Sequence, residues 1–226
     1  MALKWKLVGL LFLATTLNYL DRQTMSILAP ILQKEMNLDN EALGWLFAVF
    51  YYTYTFSLFA VGPLLDRLHL RWAFGAAVLL WSAVSALTGL ASGFVSLIVF
   101  RLLLGITEAS NWPAAIRIVA RTMEPRDRSL ANGIFTSGTS IGALVAPALI
   151  LAIASSMGWR WAFFLLGAAG AVWFVGWVLA TQNPKLRPVW QEAPNDAETS
   201  RASLARVLVE IVKSPRFLPV LVSRFS

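Results

Sequence analysis

Four ionisable residues sit where the surrounding sequence is apolar. Asp21 and Arg22 lie inside Leu17-Asn18-Tyr19-Leu20-Asp21-Arg22-Gln23-Thr24, and Arg101 and Glu108 close the two ends of Arg101-Leu102-Leu103-Leu104-Gly105-Ile106-Thr107-Glu108. A charge in such surroundings costs several kcal/mol unless it is paired or used, so each needs a reason. On a helix, residues seven apart share a face, which sets Arg101 and Glu108 ~10 Å apart along one stripe. Asp21 and Arg22 are adjacent, so they point about 100° apart and meet different partners. Two readings are open. The four charges either neutralise one another and hold helices together, or line a polar cavity that binds a charged substrate and a proton. The neighbours favour the cavity: Tyr19 lies two residues before Asp21, Tyr51, Tyr52 and Tyr54 cluster downstream, and Asn111 follows Glu108 on the same face.

Other chemistry is excluded by composition. The 226 residues contain no Cys and one His, His69, so thiolate nucleophiles, disulfides, His-based triads and multi-His metal sites are absent. No nucleophile–base pair or phosphate-binding glycine loop is present, so neither enzyme activity, nor a cofactor, nor a metal is expected. The net charge of +7 does not mark a nucleic-acid face, because the basic residues are dispersed among short connections between apolar stretches.

The elements that must position the four charges follow from hydrophobicity. About 58% of residues are hydrophobic and 14% charged, against roughly a quarter charged in soluble domains. Six apolar stretches, at about 7–32, 42–65, 72–92, 94–115, 129–154 and 161–181, each have the ~20 residues that a helix needs to cross a bilayer. In hydrocarbon each must satisfy its own backbone, so all six are expected as helices. Lys4 and Lys6 before an apolar run resemble a signal peptide, but no small-residue cleavage site follows and the apolar character resumes at Met25, so the segment reads as a retained span.

The connections alternate in charge. Lys4, Lys6, Arg67, Arg71, Arg121, Arg126, Arg128, Lys185, Arg187, Arg201, Arg206, Lys213 and Arg216 fall on one side, and only Lys34 and Arg160 on the other. The positive-inside rule then makes the N-terminus and the 182–216 segment cytoplasmic. The chain divides into a 1–181 bundle, a Pro-containing cytoplasmic linker at 182–216 with an amphipathic stretch at Ser203–Val212, and, at 217–226, the opening turns of a seventh span that is cut short.

An internal repeat organises the bundle. Arg71-Trp72-Ala73-Phe74 opens the third span and Arg160-Trp161-Ala162-Phe163 the sixth, entering from opposite sides as an inverted three-plus-three repeat requires. Gly62-Pro63 and Ala146-Pro147 recur at similar depths. Gly138-Thr139-Ser140-Ile141-Gly142 has small-xxx-small spacing, which suits close helix packing and leaves Thr139 or Ser137 able to reach a substrate. Pro30, Pro63, Pro113 and Pro147 mark kinks or span ends, and His69 is expected to be solvated.

Gly62-Pro63-Leu64-Leu65-Asp66-Arg67-Leu68-His69-Leu70-Arg71 resembles the loop signature of the major facilitator superfamily, with His69 in place of a glycine and Leu70 in place of a basic residue. Asn18 to Thr24, Leu28-Ala29-Pro30, Arg101 to Ala115, Gly133 to Gly142 and Gly158 to Phe163 are similar to its anion:cation symporter branch, most of all to bacterial hexuronate transporters. The resemblance implies an all-α membrane protein, a six-helix bundle forming the N-terminal half of a twelve-helix transporter. It implies proton-coupled import of a small organic anion, a sugar acid such as a hexuronate, across the inner membrane. Its partners would be that anion, protons, the lipid bilayer and a C-terminal six-helix half. The family's proton-titrating acids fall on Asp21 and Glu108, its carboxylate-binding arginine on Arg22 and its fourth-span arginine on Arg101. Tyr19 and Tyr54 match cavity aromatics, and Asn111 is placed with them. Thr139 stands where some sugar-acid members carry a longer polar side chain. Asp66, Arg67 and Arg71 match the cytoplasmic gate. An efflux transporter and a six-helix membrane protein without transport activity are the alternatives.

Overall fold

The computed structural model describes residues 2–186 and 190. The amphipathic stretch at 203–212 and the start of a seventh span lie outside the described residues. Among the described residues seven α-helices follow in order: α1 (Ala2–Met36), α2 (Asn40–Arg67), α3 (Leu70–Thr88), α4 (Phe94–Glu108), α5 (Asn111–Thr122), α6 (Arg128–Met157) and α7 (Trp159–Thr181), with single 3-10 turns at Pro125–Asp127 and Pro184–Leu186.

The seven helices make six spans, because α4 and α5 are one rod with a bend. Pro113 has no N–H for the carbonyl of Ala109 and its ring crowds that oxygen. Ala109 (φ −58°, ψ −22°) and Ser110 (φ −76°, ψ −19°) nevertheless stay helical, so the rod turns and continues to Thr122 instead of stopping at 115. Five spans are long and apolar enough to cross a membrane: α2, α3, α4 with α5, α6 and α7. The 35-residue α1 is also long enough, but the polar run from Asn18 to Thr24 lowers its hydropathy. The ends are sharply made. The Asp39 carboxylate accepts from the Ala42 amide at 2.7 Å, and Gly158, at φ +91°, turns the chain between α6 and α7 where a side chain would be strained.

Packing follows the repeat. α1 runs along α6 and α2 along α4; α3 pairs with α7, and α1 with α7 as α3 with α4. Exchanging spans one, two and three with four, five and six maps this set of pairings onto itself, as two inverted three-helix units require. The repeated tetrapeptide shares its environment too. Trp72 and Trp161 are 48% and 46% exposed, whereas Phe74 and Phe163 are buried.

Glycines permit the two equivalent close approaches. A Cβ on Gly105 would lie 2.7 Å from the Phe50 carbonyl oxygen of α2, and one on Gly142 would lie 2.8 Å from that of Thr16 on α1. Both are far inside van der Waals contact, so only glycine lets these backbones meet. Two hydrophobic clusters result. One gathers Leu11, Phe74, Trp81, Phe135 and Trp177, and takes in Leu186 and Trp190 after the last span. The other gathers Met25, Leu28, Leu46, Leu97 and Phe163. Leu17 and Phe100 pack against both, next in the helices to three buried charges, Asp21, Arg101 and Glu108, and the partly exposed Arg22.

Candidate functional site

The stripe predicted for α4 forms: Leu97, Arg101, Leu104, Gly105 and Glu108 are its buried residues. It faces α1 and α2. There the Arg22 Nε donates to Glu108 Oε2 at 2.7 Å, with Glu108 fully buried and Arg22 16% exposed. The Arg22 guanidinium lies 4.3 Å from the Tyr54 ring centroid, 5.3 Å from Phe50 and 5.7 Å from Tyr19. An aromatic cage of this kind stabilises a partly desolvated cation through its ring quadrupoles. The cation is not saturated. Its Nη2, and the Glu108 Oε1, have no partner among the described residues.

Arg101 is 3% exposed, lies 5.7 Å from the Phe50 ring and makes no ion pair or hydrogen bond to any described residue. It borders a cavity of about 490 Å³ together with Tyr19, Arg22, Gln23 and Ser26 of α1 and Phe47, Phe50 and Tyr51 of α2. The wall therefore presents two guanidinium groups, an amide, hydroxyls and aromatic faces, and no carboxylate. Such a wall attracts an anion and offers hydrogen-bond partners to hydroxyl groups.

The remaining residues singled out from the sequence are placed as follows. Asp21 points away from Arg22, as adjacent helical positions must: it is 3% exposed and accepts a hydrogen bond from the Ser85 hydroxyl of α3. Asn111 is fully buried off the cavity wall, its Nδ2 3.5 Å from Thr15 Oγ1 of α1. Thr139 is also off the wall, its hydroxyl donating to the Thr136 carbonyl at 2.9 Å. At the end bearing the basic loops, Asp66 pairs with Arg117 of α5 at 2.9 Å, and Arg117 also donates to the Gly62 carbonyl at 3.2 Å. Arg67 is exposed without an ion pair among the described residues, and Arg71 donates to Thr181 Oγ1 at 2.8 Å with its guanidinium 4.5 Å from the Trp72 ring. The aspartate of the loop thus closes on the fourth span, not on its own loop's arginines.

At the opposite end, the Glu35 carboxylate receives Arg160 Nη1 at 2.7 Å and Trp159 Nε1 at 2.6 Å, and Arg160 reaches the Ala91 carbonyl at 3.3 Å. The Glu35 carboxylate so joins α1 to the start of α7, and Arg160 extends the link to the α3–α4 turn. The Arg160 hydrogen bond and the Trp159 bond outweigh burial and hold the Glu35 carboxyl below the usual carboxylate range.

Sequence reasoning missed Gln23, Ser26, Phe47 and Phe50 on the wall, Ser85 behind Asp21, and Arg117. Gln23 and Ser26 carried a signal, since they follow Tyr19, already marked for the cavity, at four and seven residues on one helical face.

Known proteins are similar to this chain in sequence and fold. The chain is 31% identical over 183 residues to the hexuronate transporter of Escherichia coli K12, covering 81% of this chain and 42% of the relative. It is also 31% identical over 183 residues to the galacturonate transporter of Dickeya chrysanthemi, covering 81% of this chain and 53% of that protein. The chain thus spans about half the length of these relatives. Its fold matches the crystal structure of a bacterial homologue of the human lysosomal transporter Spinster, inward-facing and occupied, with a TM-score of 0.73 and 25% identity over 81% of this chain and 45% of that one. Its relatives are transporters, and its apolar helices make it a multi-pass membrane protein. The family profile of the Major Facilitator Superfamily matches residues 11–226, and the chain belongs to that superfamily.

Proposed function

We propose that this chain forms one wall of a proton-coupled symporter that imports a small organic anion, of the sugar-acid type, by alternating access, and that it is not an enzyme. The observation that carries the reading is a cavity bordered by Arg22 and Arg101, with a buried carboxylate, Glu108, bound to the first of them. The substrate carboxylate meets the Arg22 guanidinium where that side chain borders the cavity, and Arg101 adds a second cation. As the substrate comes to share Arg22, one guanidinium has two carboxylates to neutralise. The buried one, Glu108, then takes a proton, because a like charge close by disfavours its ionised form. Anion and proton then enter together, which gives the differential binding that any ligand-driven change of state requires. Gln23 and Ser26 contact the hydroxyls of the sugar, and Tyr19 and Tyr54 hold Arg22 in place. Asp21, held by Ser85, is the second proton site.

The two cations argue against a cationic efflux substrate. A second six-helix half supplies the facing wall, and the Asp66–Arg117 pair belongs to the cytoplasmic gate. The protein lies in the inner membrane with its N-terminus cytoplasmic, as the loop charges dictate.

The reading is tested in proteoliposomes holding the full gene product and radiolabelled galacturonate. Glu108→Gln is expected to keep exchange of substrate across the membrane and to abolish accumulation driven by a pH gradient. Continued accumulation in that variant removes Glu108 from proton coupling and leaves Asp21 as the candidate.

A further inference from the structure

Asn18 is fully buried on α1, and both its Nδ2 and its Oδ1 lack a hydrogen-bond partner among the described residues. Two contacts frame it. Three residues earlier, Thr15 meets Asn111, and four residues later, Arg22 meets Glu108. The positions 15, 18 and 22 fall on one helical face, so Asn18 stands between two contacts with the fourth span. Its amide lies within hydrogen-bonding reach of the Glu108 carboxyl, although no bond of good geometry is formed. Glu108 Oε2 is taken by Arg22, and Oε1 is the unpartnered atom.

An amide with both ends free beside a carboxyl with one oxygen free is costly if it stays so, because each unmet buried polar atom carries a desolvation penalty. Asn111, the other buried amide nearby, has its nitrogen directed to Thr15; Asn18 alone has both a donor and an acceptor to give. Ionised Glu108 needs a donor at Oε1. Protonated Glu108 needs an acceptor for its O–H. A carboxamide supplies either by turning over about its last torsion.

We infer that Asn18 is a positioning residue for the proton on Glu108, presenting Nδ2 to the ionised carboxylate and Oδ1 to the protonated acid. The inference rests on the reading of Glu108 as the coupling carboxyl. The charged and titratable groups around Glu108 are Arg22 and Asp21 from α1, Arg101 from its own helix, and Tyr54 of α2 beneath Arg22. The membrane-embedded parts of α3, α6 and α7 contribute no Asp, Glu, Lys, Arg, His or Tyr. The proton on Glu108 therefore depends on a small set of groups, of which Asn18 is the neutral one that can answer both states.

The test compares Asn18→Val with Asn18→Thr, which have the same shape and differ in one hydroxyl that can donate and accept. Infrared difference spectra of the purified full gene product, titrated in pH, report the C=O stretch of a protonated carboxyl, and Glu108→Gln identifies that band by its loss. In Asn18→Val the band is expected at higher frequency, because the acid has lost its acceptor, and in Asn18→Thr near the wild-type position. The bond lost by the ionised form is the stronger, charge-assisted one, so the pH midpoint of galacturonate uptake is expected to rise in Asn18→Val by roughly half to one pH unit and to stay in place in Asn18→Thr. If Val and Thr behave alike, whether both as wild type or both shifted, Asn18 only packs and the inference falls. If Glu108→Gln removes no band while wild type still transports, the reading of Glu108 itself fails, and this inference with it. Should Asn18→Val not yield folded protein, Asn18→Ala replaces it and is read in the same way.

Discussion

Replacing Arg22 by lysine separates recognition of a carboxylate from mere charge balance. Arg22 has two duties: its Nε holds Glu108 at 2.7 Å, and its side chain borders the cavity. A planar fork does both at once; an ammonium is a single point of charge. Lysine keeps the net charge of the site and can still neutralise Glu108, so folding and insertion are expected to survive. What it cannot keep is the paired geometry toward a second carboxylate. Losing one hydrogen bond to a charged group costs about 1.5–3 kcal/mol, which is roughly a 10- to 150-fold rise in Kd. The cation–π contact of the guanidinium with Tyr54, at 4.3 Å, is weakened as well, and such a contact is worth on the order of 1 kcal/mol.

The assay is equilibrium binding of galacturonate to detergent-purified wild type and Arg22→Lys, with galactose as the uncharged counterpart and folded yield measured alongside. The expected result is a loss of at least tenfold for the acid at similar yield, with galactose binding both proteins equally weakly. Unchanged affinity for galacturonate refutes the carboxylate role of Arg22. A loss of equal size for galactose refutes it too, because the effect would then be on cavity shape.

Three further outcomes follow from the two ends of the bundle. Asp66 and Arg117 are each about a third exposed, so a double-mutant cycle with alanine is expected to show a coupling of about 0.2–1 kcal/mol, and cycles of Asp66 with Arg67 or Arg71 none; equal coupling to Arg67 would refute the pairing. Glu35 has a folded-state pKa below its unfolded value, so its stabilisation is complete above the unfolded value of about 4.3 and is lost as pH falls through the lower folded one. Glu35→Gln should therefore lower the Tm in detergent at pH 7 and lose that deficit under strongly acidic conditions, and a deficit that persists there would count against the Arg160 clasp. For orientation, a reporter active only in the periplasm, fused after Pro194, should stay silent, and a strong signal would reverse the topology.

What could be read from the sequence was whatever a single helix decides by itself. Seven-residue spacing puts Arg101 and Glu108 on one stripe regardless of what lies opposite, and that stripe is buried as a unit. The separation of Asp21 from Arg22 was legible for the same reason. The identity of the partners was not. Which helix lies on the Asp21 side depends on how α1 packs between α6 and its other neighbours, and nothing in Asn18–Thr24 specifies that Ser85 of α3 waits there.

The same limit explains Arg117. With the fourth span taken to end at 115, Arg117 fell among loop residues, and Asp66 had only Arg67 and Arg71 to meet. Pro113 bends the rod without ending it, so the helix carries Arg117 onward to the end of α2. Local chemistry thus told where charge is costly, and tertiary packing decided which cost is met by which partner. Arg22 is where both come together: its place on α1 is a matter of sequence spacing, but its joint service to Glu108 and to the cavity exists only because Gly105 lets α4 approach α2 closely enough for Phe50 and Tyr54 to enclose the guanidinium.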